Sequence, residues 1–233
     1  GWFVALVALG FASAHQLGMW RSDLSLFPHA LAVEEANPVA HVQLGQALEV
    51  ANVPADAERH YRRALELRPS LVGVRVNLAR VLETGGRPQE AEAELERALA
   101  DDETLGAAHA RLGWLLQAQG RDAEALPHLR RAVELSPEDL ALVNNLAWVL
   151  ATSRTSAQPA EALSLAERLV QASAGRQASY FETQAAALAR LGRFDEAVAA
   201  QQRALERVPA AYRAALAERL ELYRRGQPYS KSP

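Results

Sequence analysis

Cysteine is absent from all 233 residues, which excludes disulfides, thiolate metal sites and cysteine nucleophiles together. Lysine occurs once, at Lys231, against two dozen arginines, a bias expected of a GC-rich bacterial genome. Positive charge is not in excess: the formal net charge of −3 removes the electrostatic footprint of a nucleic-acid binder. Aromatic residues are few, at 6%, and residues 1 to 20 carry no formal charge. No Gly-rich phosphate loop, HExxH pair, nucleophile elbow or paired-carboxylate constellation appears. No catalytic, cofactor-binding or metal-binding residue is therefore assigned, and this stretch of chain is not expected to be an enzyme. Ala, Leu, Glu and Arg fill the remainder, the composition of helices.

Those residues recur with a period. The stretch "HVQLGQALEVANVPADAERHYRRALELRP" begins at His41, and "HARLGWLLQAQGRDAEALPHLRRAVELSP" begins at His109. Their separation is two periods of about 34 residues. "RVNLARVLETGGRPQEAEAELERALADDE" lies between them in phase, and two further copies follow, beginning near Val143 and Phe181. Each copy reads as helix, tight turn, helix. Leu44, Leu78, Leu112 and Leu146 precede Gly45, Ala79, Gly113 and Ala147. The large residue fills a seam, and the small one admits a second helix closely. Asn52, Gly86, Gly120 and Gly192 mark turns that tolerate a left-handed backbone, and Pro54, Pro88 and Pro159 stand where helices begin. Ala57, Ala91, Ala125, Ala162 and Ala197 fall at the helix crossing.

This pattern resembles the tetratricopeptide repeat (TPR) over roughly residues 38 to 211. The resemblance implies an all-α, right-handed α-solenoid of about five helix pairs. The expected units are 38–71, 72–105, 106–139, 140–177 and 178–211. A half repeat and junction would occupy 21–37, a capping helix 212–226 and a flexible tail 227–233.

In such arrays the first helices line a concave groove, with the sixth position of each facing it. Those residues here are Gln43, Asn77, Arg111, Asn145 and Thr183. Asn144 adds an amide, Trp114 and Trp148 share the ninth position, and Gln46 and Arg80 complete the candidate set. An extended peptide leaves its backbone N–H and C=O groups unpaired, so a ladder of amides suits it. The expected partner is thus a protein or extended peptide. A clamp for a C-terminal carboxylate, built from two Lys, two Asn and one Arg, is not expected. Asn77 and Arg111 fit it, but Val42 and Ala107 replace both Lys, and Gln46 replaces an Asn.

Six histidines invite a metal reading. His41 and His109 share one repeat position and His60 and His128 another, so copies 68 residues apart are too distant to share an ion. Helix-packing or surface roles are expected.

Residues 1 to 20 are long enough for one membrane span. Trp2 and Trp20 would lie about 27 Å apart along a helix, one indole at each interface. The junction "MWRSDLSLFPHALAVEEANPVAHVQLGQAL" resembles that of multi-spanning membrane proteins of the O-mannosyltransferase-like class that carry a C-terminal TPR array. Trp20, Arg21, Asp23, Leu26, Phe27, His29, Ala30, Leu31, Asn37, Val39, Ala40, His41, Leu44 and Gly45 carry the match, while Pro28 and Glu35 depart from it. The resemblance implies a final transmembrane helix at 1–20, with the repeats on the extracytoplasmic (periplasmic) side. It also implies any glycosyltransferase chemistry upstream. The alternative is an exported or singly anchored TPR adaptor, with "ASA" at 12 to 14 as a signal cleavage site.

Overall fold

The computed structural model describes residues 36–230. The apolar segment 1–20, nearly all of the half repeat 21–37, and residues 231–233 lie outside the described residues. Among the described residues there are eleven α-helices, one short 3-10 turn and no strand. None of these helices is long and apolar enough to cross a membrane. The helices are α1 (Pro38–Val50), α2 (Pro54–Leu67), α3 (Val72–Thr84), α4 (Pro88–Asp101), α5 (Gly106–Ala118) and α6 (Asp122–Leu135). They continue with α7 (Leu140–Thr152), α8 (Pro159–Ala172), α9 (Ala178–Arg190), α10 (Phe194–Glu206) and α11 (Arg213–Arg224), the last preceded by the 3-10 turn Ala210–Tyr212.

The chain forms two compact units that divide between Ala108 and His109. The first holds the hairpins α1–α2 and α3–α4, with α2 packed on α3. The second holds α5 from His109 onward, paired with α6, and the hairpins α7–α8 and α9–α10, with α8 packed on α9 and α11 closing against α10.

The same local chemistry ends four of the first helices. Asn52, Gly86, Gly120 and Gly192 adopt φ of 58°, 74°, 76° and 75°. The next residue's N–H then reaches back to a leucine carbonyl: Val53 to Leu48, Arg87 to Leu82, Arg121 to Leu116 and Arg193 to Leu188, at 2.8–2.9 Å. This ties off a helix-terminal carbonyl in the Schellman manner. The fourth hairpin has extra residues in its turn, yet keeps the acceptor, because Gln158 N–H donates to the Leu150 carbonyl at 2.8 Å. Side chains start two helices: Asn37 Oδ1 accepts from Ala40 N–H in α1, and Asp139 Oδ1 accepts from Ala141 and Leu142 in α7.

The alanines at the crossings (Ala57, Ala91, Ala125, Ala162 and Ala197) are completely buried. Two glycines mark the closest approaches. A Cβ on Gly45 would lie 2.6 Å from the Tyr61 ring, and one on Gly113 would lie 2.6 Å from Leu129 Cδ2. In the second unit Leu216, Leu220 and Tyr223 bury one face of α11. Buried Gln201 donates to the Leu216 carbonyl at 2.9 Å. The helical-repeat reading of the sequence thus holds in both units.

Candidate peptide groove

The first helices of the hairpins carry the candidate residues. In the first unit α1 and α3 line a hollow of about 590 Å³, bounded by Val42, Gln46, Gly73, Asn77, Asp102 and Leu105. Gln46 is exposed and Asn77 partly so. Neither amide hydrogen-bonds another described residue, so both remain available to a ligand. Gln43, on the same helix, is half-buried. Gly73 sits in the lining with open space where a side chain would be, which leaves room for a backbone to come close.

A second hollow of about 480 Å³ lies toward the C-terminal ends of the same two helices, lined by Gln46, Glu49, Val50, Asn52, Arg80 and Thr84. Its charged groups are already committed. Arg80 Nη2 donates to Glu49 Oε2 at 2.8 Å, and the Tyr61 hydroxyl donates to the same oxygen. Burial, reinforced by that bond to Glu49, holds the Tyr61 phenol well above its ordinary range. Arg80 therefore braces α3 against α1.

The second unit distributes its candidates differently. Thr183 is fully buried, and its hydroxyl donates to Asn144 Oδ1 at 2.8 Å and Ser179 O at 3.0 Å. This pair locks α7 to α9 and faces no groove, so the sixth-position expectation fails for Thr183 and diverts Asn144. Asn145 is half-buried with an uncommitted amide. Trp114 packs against Ala110 and Leu142 and has its Nε1 buried without an acceptor among the described residues. Arg111 lies over its ring at 5.7 Å. Trp114 is thus chiefly a packing residue.

Trp148 is half-buried and anchors a cluster that the repeat pattern does not contain. The Arg219 guanidinium of α11 lies 5.1 Å from the Trp148 ring centre and 4.8 Å from that of Tyr229. The two rings stand 5.9 Å apart at 38°. Arg219 is aimed by Glu182 of α9, whose Oε2 accepts from Nη1 at 2.5 Å. Burial raises the Glu182 carboxyl above its usual range, with Arg219 opposing that shift. Tyr229 gets there because Gly226 takes φ 67° and Gln227 N–H returns to the Leu222 carbonyl at 3.0 Å. The segment expected to be a free tail from residue 227 therefore rests on the helices through Tyr229.

The four described histidines pair within hairpins. His41 and His60 approach at 2.8 Å between Nδ1 atoms, and His109 and His128 at 3.0 Å. Arg75 and Glu94 hold the same place in α3–α4 as an ion pair of 2.9 Å. Among the described residues no three His, Cys, Asp or Glu side chains gather as a metal site would require. The 19-residue spacing repeated in both His pairs was the signal available in the sequence.

Helical hairpins with a Leu–small-residue seam, a left-handed turn and a groove lined by the first helix define a class of peptide-interaction fold. Tetratricopeptide repeat profiles match residues 42–106 and 76–140 and residues 178–210, together more than half of the chain, which belongs to the tetratricopeptide repeat proteins. Among solved structures, YrrB, described as a TPR protein with an unusual peptide-binding site, superposes with a TM-score of 0.69 at 24% identity, over 82% of this chain and 97% of its own. PilF of Pseudomonas aeruginosa gives 0.64 at 26% identity, over 83% of this chain and 86% of its own. MamA gives 0.62 at 21% identity, over 73% and 91%. No curated protein sequence matches the chain significantly.

Proposed function

We propose that this chain is a non-catalytic scaffold that holds an extended polypeptide along the first-helix groove. The observation that carries the reading is the hollow between α1 and α3, where the uncommitted amides of Gln46 and Asn77 flank Gly73. An amide presents a donor and an acceptor together, which is what one peptide unit of an extended ligand requires. The peptide-binding site attributed to YrrB supports the same use of the fold.

The larger context we propose is the extracytoplasmic, C-terminal part of a multi-spanning, O-mannosyltransferase-like membrane protein, with residues 1–20 as its last span. Support comes from the uncharged run before Arg21 and from the junction sequence through Gly45. The array then raises the local concentration of an acceptor polypeptide at a membrane-embedded active site. The small-x-small "ASA" at 12 to 14 favours the exported adaptor as a second reading. Protease accessibility of the repeats in sealed spheroplasts, with the gene expressed in full, separates cytoplasmic from extracytoplasmic placement.

Peptides selected from a random 12-residue display library on the full chain test the groove. Combining Gln46→Ala and Asn77→Ala should weaken the selected peptides by tenfold or more, from about 1 kcal/mol per lost hydrogen bond. Unchanged affinity in a folded double variant would refute the groove assignment.

A further inference from the structure

In the Trp148–Arg219–Tyr229 cluster the segment that follows α11 lays one side chain on a surface built by the helices. Three observations separate it from ordinary core packing. Trp148 occupies the ninth position of α7, on a first-helix surface, and is only half-buried. Arg219 is held over its ring by Glu182 from α9, so the receptor half comes from three helices. The tail half is a single side chain. Gln227 and Pro228 are exposed, and beyond the helix-closing bond from Gln227 no hydrogen bond ties residues 228–230 to another described residue. A ring laid on an indole and under a guanidinium is held by its face and its flat area, not by sequence context.

We infer that the Trp148–Arg219 platform is a receptor for an aromatic residue preceded by proline in a partner polypeptide, and that Pro228–Tyr229 is its resident stand-in. The inference rests on the peptide-scaffold reading and names the ligand chemistry for the second unit. Proline keeps the incoming backbone extended, as Pro228 does, and the ring fills the space that Tyr229 holds. Because the tail is tethered only a few residues after α11, it competes at an effective concentration in the millimolar range. A partner displaces it only by adding contacts elsewhere on the first helices, for instance to the uncommitted Asn145 amide. The tail thereby sets a threshold against weak, single-residue binding.

The test uses the full chain and the peptide Gly-Gln-Pro-Tyr-Ser-Lys-Ser-Pro, carrying a fluorophore at its N-terminus. Tyr229→Ala removes the resident ring without touching a helix. The peptide should bind the Tyr229→Ala chain at least tenfold tighter than the unaltered chain, with a change in tryptophan emission. Adding Trp148→Ala, or replacing the peptide's Tyr by Ala, should abolish that binding. No binding to Tyr229→Ala, or binding indifferent to Trp148→Ala, overturns the inference. A concentration-dependent dimer of the unaltered chain that Tyr229→Ala dissolves also overturns it, by making the tail of a second copy the occupant. Library-selected peptides that still lose affinity on Gln46→Ala and Asn77→Ala would show that the groove reading survives such a failure.

Discussion

The two units use the same helix surface in opposite ways. In the first, the ninth positions of α1 and α3 hold Gln46 and Arg80. One faces an open hollow and the other is tied to Glu49. In the second, the ninth position of α7 holds Trp148, already covered by Arg219 and Tyr229. The repeat sets where a side chain emerges. What that side chain then meets depends on neighbours that the repeat does not specify, here a glutamate near the turn and a helix and tail after the last hairpin.

The seams offer the largest effect with which to sharpen this comparison. Gly45→Ala forces a Cβ against the rigid Tyr61 ring, whereas Gly113→Ala meets Leu129, whose branch can turn away. Gly45→Ala should cost about 1–3 kcal/mol, as overpacking does, and Gly113→Ala should cost less. Urea midpoints of the two variants check the order, and equal losses would mean that Tyr61 moves as freely as Leu129. Next come the caps. Asn37→Ala and Asp139→Ala each remove a side chain that accepts a helix-initiating N–H, at about 1 kcal/mol apiece. Thermal melts should show similar decreases in both units.

The smallest effect is on pH dependence. Burial is the first cause that depresses the His60 and His128 imidazoles, followed by the facing His41 and His109. Arg59 also lowers His60, while Asp56 raises it. The unfolded chain takes up these protons near pH 6.5, while the folded chain resists them to lower pH. Stability is therefore fully present above that value and declines as the pH falls toward the folded pKa values. His60→Gln with His128→Gln should flatten the slope between pH 7 and 5 in chemical denaturation. A slope that persists would assign it to other groups.

Much of the fold was legible in the sequence because each feature recurs: Leu–Gly and Leu–Ala seams, Asn or Gly turns, and buried alanines at fixed offsets. The placement of candidate side chains was legible only where the repeat itself decides it, as at Gln46 and Asn77, which line one hollow. Thr183 occupies the proper position but is drawn into a hydrogen bond with Asn144. Arg219 and Tyr229 follow the last repeat and have no phase from which to be read. The His pairs were visible as two equal 19-residue spacings, a distance within one hairpin that a search between repeats passes over.

The most direct test of the scaffold account is side-chain amide NMR of the full chain saturated with a library-selected peptide. The account predicts that the NH2 signals of Gln46 and Asn77 shift and become protected from exchange. Shifts confined to the second helices, with both amides unmoved, would contradict it.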